Sequence, residues 1–120
     1  MKSIYLPEKK LNEIISRMKY ENSLPIRVSN ATGLRLNDVL AIPLVQIIKT
    51  NRITIKEQKT GKSRRVYIPL QLWREMKENS KWCWVFPHRL KPFKHRTRQA
   101  VYLDFKLACE RSGSERSDAP

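Results

Sequence analysis

Apolar residues recur at helical spacing near the start of the chain. Leu11, Ile14, Ile15 and Met18 follow the i, i+3, i+4, i+7 pattern of one face, after a Pro7 suited to a first turn. The spacing predicts a helix over 6–20, broken by Asn22 and Ser23. A short apolar segment opens at Pro25, runs through Val28 and Ala31, and ends at Thr32 and Gly33, where glycine can take the left-handed conformation that closes a helix. A further helix is expected over 36–42, stopped by Pro43. The period then changes. Ile53 to Gln58 and Arg65 to Pro69 alternate apolar and polar positions around Lys59-Thr60-Gly61-Lys62-Ser63, the pattern of a β-hairpin with a long basic tip. Next come a helix over 70–79 with Leu72, Trp73 and Met76 on one side, and a short aromatic strand from Trp82 to Phe86 closed by Pro87. A loop to about Lys94 leads into a last helix over 95–111. There Val101, Phe105, Ala108 and Cys109 share a stripe, and Arg96, Arg98 and Lys106 fall outside it. The fold class read from this order is α+β, mainly helical, with a small antiparallel three-stranded sheet. Trp73, Trp82, Trp84 and Phe86 lie on the apolar sides of their elements and are read as core.

Composition narrows the picture. With 120 residues, 40% of them apolar, the chain is long enough for one domain with a modest core. The domain is placed at 1–111, and the small polar text over 112–120 is read as a disordered tail. Lys and Arg number 25 against 11 acidic residues, a net charge of +14, which favours a polyanion over any neutral small substrate. Nucleic acid is the leading partner class. No apolar run reaches the roughly 20 residues of a spanning helix, so a membrane is not expected and a cytoplasmic location is. Cys83 and Cys109 stand far apart without a CxxC pattern, and are read as buried reduced thiols; no metal site and no cofactor are expected.

Three stretches carry chemistry together: Thr32-Gly33-Leu34-Arg35-Leu36-Asn37-Asp38 at a helix junction, the Lys59-Thr60-Gly61-Lys62 tip, and the strand ending Val66-Tyr67-Ile68-Pro69. Their order, and the 24 residues from Arg35 to Lys59, resemble the tyrosine recombinases of the phage integrase type, whose catalytic domain has a T-G-L-R junction followed by a K-T-G hairpin. The resemblance spans roughly 6–113. It implies DNA recombination and integration by strand cleavage and rejoining, with double-stranded DNA and other recombinase protomers as partners. In that chemistry a tyrosine attacks a phosphodiester, and charge builds on the non-bridging oxygens, where fixed cations must meet it. The resemblance gives Arg35 the role of phosphate clamp and Lys59 that of general acid toward the departing 5′-oxygen. It has Asp38 orient Arg35 from one helical turn away. Lys62, Arg64 and Arg65 would follow the DNA backbone around the hairpin, and Arg96 and Arg98 would face phosphate at the start of the last helix.

Plainer readings exist for the same residues. Arg35 and Asp38 have the spacing of a surface pair, K-T-G is common turn chemistry, and either Lys59 or Lys62 could be the hairpin's catalytic lysine. His95-Arg96-Thr97-Arg98 spells the family's H-x-x-R, but it stands before the place where the resemblance puts that motif. The family's own H-x-x-R pair and its tyrosine nucleophile are not found in the sequence. The expectation is therefore the amino-terminal half of a catalytic domain, inactive by itself. Its rival is a non-catalytic basic DNA-binding protein, an accessory or competitor of an intact recombinase.

Overall fold

The computed structural model describes residues 7–112. Its elements run α1 (Glu8–Ile15), α2 (Tyr20–Thr32), α3 (Leu36–Leu40), a 3-10 turn (Leu44–Gln46), β1 (Arg52–Lys56), β2 (Ser63–Tyr67), α4 (Leu70–Asn79) and α5 (Arg98–Ser112). Helix α2 is the hub: α3, α4 and α5 all pack on it, and α1 packs on α5. Leu24 and Val28 of α2, Val39 and Leu40 of α3, Met76 of α4 and Val101 of α5 meet in one continuous core that also takes Ile42, Ile47, Val85 and Phe86 from the connections. Each such side chain removed from water contributes about 1.5–3 kcal/mol, and it is this shared core that orders the short α3.

The first helix is shorter than the apolar spacing suggests. It ends at Ile15, with Ser16 as its cap, and Met18 reaches the core from a turn rather than from the helix. The chain restarts at once, because the Lys19 amide donates to Asp104 Oδ2 at 3.0 Å and Tyr20 opens α2. Asn22 and Ser23, which read as a break, are buried within α2. Ser23 Oγ donates to the Tyr20 carbonyl, and Asn22 Nδ2 donates to Asp104 Oδ2 at 2.7 Å, so neither polar side chain is left unsatisfied. Pro25 sits inside α2, where packing on three neighbouring helices outweighs its lost donor.

On the other side of α2, one carboxylate ties it to α4. Glu75 accepts Arg27 Nη1 and Nη2, each at 2.8 Å, and the Tyr20 hydroxyl at 2.6 Å. The bidentate guanidinium holds the Glu75 carboxyl down at about 2, from an ordinary 4.5. Burial and the negative Glu75 push the Tyr20 phenol up to about 12.

The sheet has two strands, not three, among the described residues. β1 and β2 are antiparallel with Ile53 opposite Val66 and Ile55 opposite Arg64; Ile53, Ile55 and Val66 turn inward. The aromatic segment forms only isolated bridges, Pro43 to Trp84 and Lys81 to Trp84. Its backbone reverses at Trp82, which has a φ of 56° and lies half exposed, and a residue in that conformation cannot continue a ladder. Phe86 is fully buried, Trp73 and Trp84 are half-buried, and Trp82 is not core. Cys83, in the same turn, is exposed rather than buried. Apart from Ser112, which closes α5, the tail read over 112–120 lies outside the described residues. No helix among the described residues is long and apolar enough to cross a membrane.

Candidate nucleic-acid interface

The T-G-L-R text builds a rigid corner between α2 and α3. Thr32 Oγ1 donates to the Val28 carbonyl and accepts the Leu34 amide, while the Gly33 amide closes α2 on the Ser29 carbonyl. Gly33 has φ of 77°, the left-handed conformation that a side chain resists. Leu34 is then driven into the core at 2% exposure, and Ser29 Oγ fixes its carbonyl at 2.6 Å. Arg35 follows in extended backbone, its carbonyl accepting the Asp38 and Val39 amides that start α3. A buried leucine on one side and a helix start on the other leave the Arg35 side chain exposed. Among the described residues its guanidinium has no hydrogen-bond or ion-pair partner.

The hairpin is docked against this corner. At its turn Glu57 donates its amide to the Lys62 carbonyl and Gly61, at φ of 72°, donates to the Glu57 carbonyl, both at 2.8 Å. Two links join the hairpin to the helices. The Gln58 amide donates to Asp38 Oδ1 at 3.1 Å, and Gln58 Nε2 donates to the Asn37 carbonyl at 3.2 Å. Arg64 Nη1 donates both to the Gly33 carbonyl and to Glu57 Oε2, each at 3.2 Å. Glu57 also accepts the Thr60 hydroxyl at 2.7 Å. The Thr60 and Arg64 hydrogen bonds, and behind them the charges of Arg64 and Arg35, hold the Glu57 carboxyl below its ordinary range.

These contacts enclose a cleft of about 640 Å³ whose lining includes Arg35, Asp38, Glu57, Lys59, Arg64 and Arg98. Arg35 and Lys59, distant in sequence, thus share one cavity with Arg98 from the start of α5. Lys62 and Arg65 are exposed on the hairpin and do not line it. Asp38 is placed differently from expectation. Its carboxylate holds the hairpin amide and not Arg35, and its buried Oδ2 has no partner among the described residues. Arg64 is engaged by Glu57 and Gly33 and is not a free backbone tracker.

Arg96 is also displaced from its expected outer position. It is 8% exposed, donates from Nη1 to Asn22 Oδ1 at 2.9 Å, and burial pushes its guanidinium below the ordinary value. The reason is that α5 begins at Arg98, not His95, so Arg96 lies in the incoming loop and turns toward the Asn22 and Asp104 pair. His95 is equally structural: its ring meets Trp84 edge-on at 5.0 Å, and Nδ1 donates to the Arg96 carbonyl. Glu57 and Gln58 were not singled out in the sequence. Only the Glu-x-Lys spacing at a strand end hinted that an acid stands beside the hairpin lysine.

The sequence profile of the phage integrase family matches residues 5–120. The chain belongs to the phage integrase family. Its fold is similar to that of the catalytic domain of bacteriophage HP1 integrase, with a TM-score of 0.62 at 20% sequence identity. The similarity covers 98% of this chain and 64% of that one, so this phage integrase family chain spans less than two thirds of the catalytic domain it matches. No curated protein sequence matches it. The family assignment agrees with the resemblance carried by the Thr32 to Asp38 text and the hairpin, and the shared fold agrees with a mainly helical α+β domain.

Proposed function

We propose that the cleft holds the phosphate of a DNA strand being cut and rejoined in site-specific recombination, and that the chain supplies the cationic part of that machinery. The observation that carries this reading is the convergence of Arg35, Lys59 and Arg98 on one cavity from three separate segments. Arg35 presents an unengaged guanidinium from a rigid corner, the arrangement that can donate two parallel bonds to non-bridging oxygens as charge accumulates there. Lys59, on the hairpin turn, is the cleft's proton donor to the leaving 5′-oxygen. Lys62 stands outside the cleft, which favours Lys59 of the two lysines. No tyrosine among the described residues lines the cavity. In this reading the attacking hydroxyl comes from another segment or another protein, and the chain cuts no DNA by these residues alone.

The test pairs the chain with a tyrosine-bearing remainder of a catalytic domain and measures strand cleavage. Arg35→Ala and Lys59→Ala should each reduce cleavage far more than DNA binding, because their interactions strengthen in the transition state. A substrate with sulfur in place of the 5′-oxygen leaves without protonation. It should restore cleavage to Lys59→Ala but not to Arg35→Ala. Rescue of neither, with Lys62→Ala impaired instead, would move the acid to Lys62. If all three variants cleave normally, the non-catalytic DNA-binding reading replaces this one. That second reading requires only salt-sensitive binding by the basic surface.

A further inference from the structure

The connection between Phe86 and α5 is a built loop with an apolar tip. Its base is closed by the His88 amide donating to the Lys94 carbonyl at 2.8 Å and the Arg96 amide donating to the Phe86 carbonyl at 2.7 Å. Inside, His88 Nδ1 accepts the Leu90 and Lys91 amides, each at 3.1 Å, and Trp84 Nε1 donates to the Phe93 carbonyl at 3.1 Å. Every one of these bonds shapes the backbone, yet Leu90 and Phe93 are left 73% and 78% exposed. Exposed Arg89, Lys91 and Lys94 flank them, and no acidic residue lies between 87 and 98. An ordered loop that holds two large apolar side chains in water among three cations fits a partner with dense negative charge and flat apolar faces.

DNA has both, in its phosphates and its bases. The loop also continues directly into the cleft: Phe93 and Leu90 are five and eight residues from Arg98, at most about 18 and 28 Å of chain, or roughly five and eight base-pair steps at about 3.4 Å each. We propose that the loop 88–94 is a second DNA-binding element, with its cations on phosphates and Leu90 and Phe93 against bases within about eight base pairs of the phosphate held in the cleft. The proposal rests on the DNA reading of the cleft and adds to it an apolar interaction made outside the cleft.

The full chain is titrated against short duplexes carrying 2-aminopurine at successive positions, at several salt concentrations. Leu90→Ser with Phe93→Ser should weaken binding about fivefold or more, since stacking of one aromatic ring on a base is worth at least a factor of that order, and should abolish the 2-aminopurine response. Its salt slope should stay unchanged because neither side chain displaces counterions. Replacing Arg89, Lys91 and Lys94 by alanine should lower the slope, by about 0.9 for each phosphate that is no longer neutralised. Val45→Ser removes an equally exposed apolar residue elsewhere, at 75% exposure, and should bind as the parent does. All these positions are exposed, and matched melting temperatures verify the fold. Parent-like binding by the Leu90 and Phe93 variant overturns the loop proposal and leaves the cleft reading standing. Loss of binding to vesicles of anionic lipid, or loss of self-association, with DNA binding intact would overturn it in favour of those partners. A parent chain that binds no duplex at any salt sinks both readings.

Discussion

Replacing Glu75 by glutamine removes one negative charge from the seam between α2 and α4 while keeping the side chain's size. Glu75 takes both guanidinium nitrogens of Arg27 and the hydroxyl of Tyr20, with side-chain exposures of 15% for Glu75 and 34% for Arg27. A carboxyl held at about 2 instead of 4.5 represents at most about 3 kcal/mol. Arg27 is a third exposed, so solvent screening brings the expected loss to about 2 kcal/mol. Spread over 120 residues at about 2.1 cal/mol/K each, that lowers the melting temperature by about 8 °C at pH 7. The sign with pH follows from the direction of the shift. A carboxyl depressed in the folded state stabilises above its ordinary 4.5 and loses that contribution as pH falls toward about 2. The parent should therefore lose more stability over that range than Glu75→Gln does, and their melting temperatures should converge near pH 2. Melting curves by circular dichroism from about pH 7 to about pH 2 decide the matter. A variant that melts within about 2 °C of the parent at pH 7, or a gap constant over the whole range, refutes the reasoning.

Two further outcomes are expected. Asp104→Ala strands the Lys19 amide and the buried Asn22 amide and removes a carboxylate whose charge supports buried Arg96; it should cost about 3 kcal/mol in urea unfolding, with Asp104→Asn, which loses the charge but keeps an acceptor oxygen, costing clearly less, and equal values for the two would show that the acceptor plays no part. Gly33→Ala should cost about 1 kcal/mol through backbone strain alone, because the new methyl would meet Arg64 Nη2 only at an ordinary 3.5 Å; Gly33→Asn should be milder, and a neutral alanine would mean that the corner relaxes.

What the sequence disclosed was whatever depends on local pattern. α4 begins and ends where Leu72, Trp73 and Met76 and the flanking Pro69 and Ser80 place it. The Arg35 corner was legible because a threonine, a left-handed glycine and a buried leucine are each needed at fixed offsets. What stayed hidden depends on partners far along the chain. Asn22 and Ser23 look like a helix break until Asp104, 82 residues from Asn22, is there to accept the amide. Arg96 looks like a surface cation until the same pair captures it. The third strand failed for a local reason that composition conceals: aromatic residues favour strands, but the reversal at Trp82 leaves no run long enough to pair. Arg64 and Glu57 could be recognised as a docking pair only once the hairpin register was set, since their bond also needs the Gly33 carbonyl beside it.

The assembly of the cleft from three distant segments bears on how a DNA ligand acts on the fold. The net charge of +14 belongs to the unfolded chain as much as to the folded one, so a polyanion binds both, and only the difference in affinity shifts the folding equilibrium. Scattered lysines and arginines supply the common part. On the proposed reading the surplus comes from Arg35, Lys59 and Arg98 lining one cavity, which the chain achieves only when α3, the hairpin and α5 are all in place. If DNA spans the cleft as proposed, it should act as a selective stabiliser of the native state, whereas a diffuse polyanion such as heparin, matched in charge, should hold folded and unfolded chains nearly alike and leave the melting temperature close to where it was.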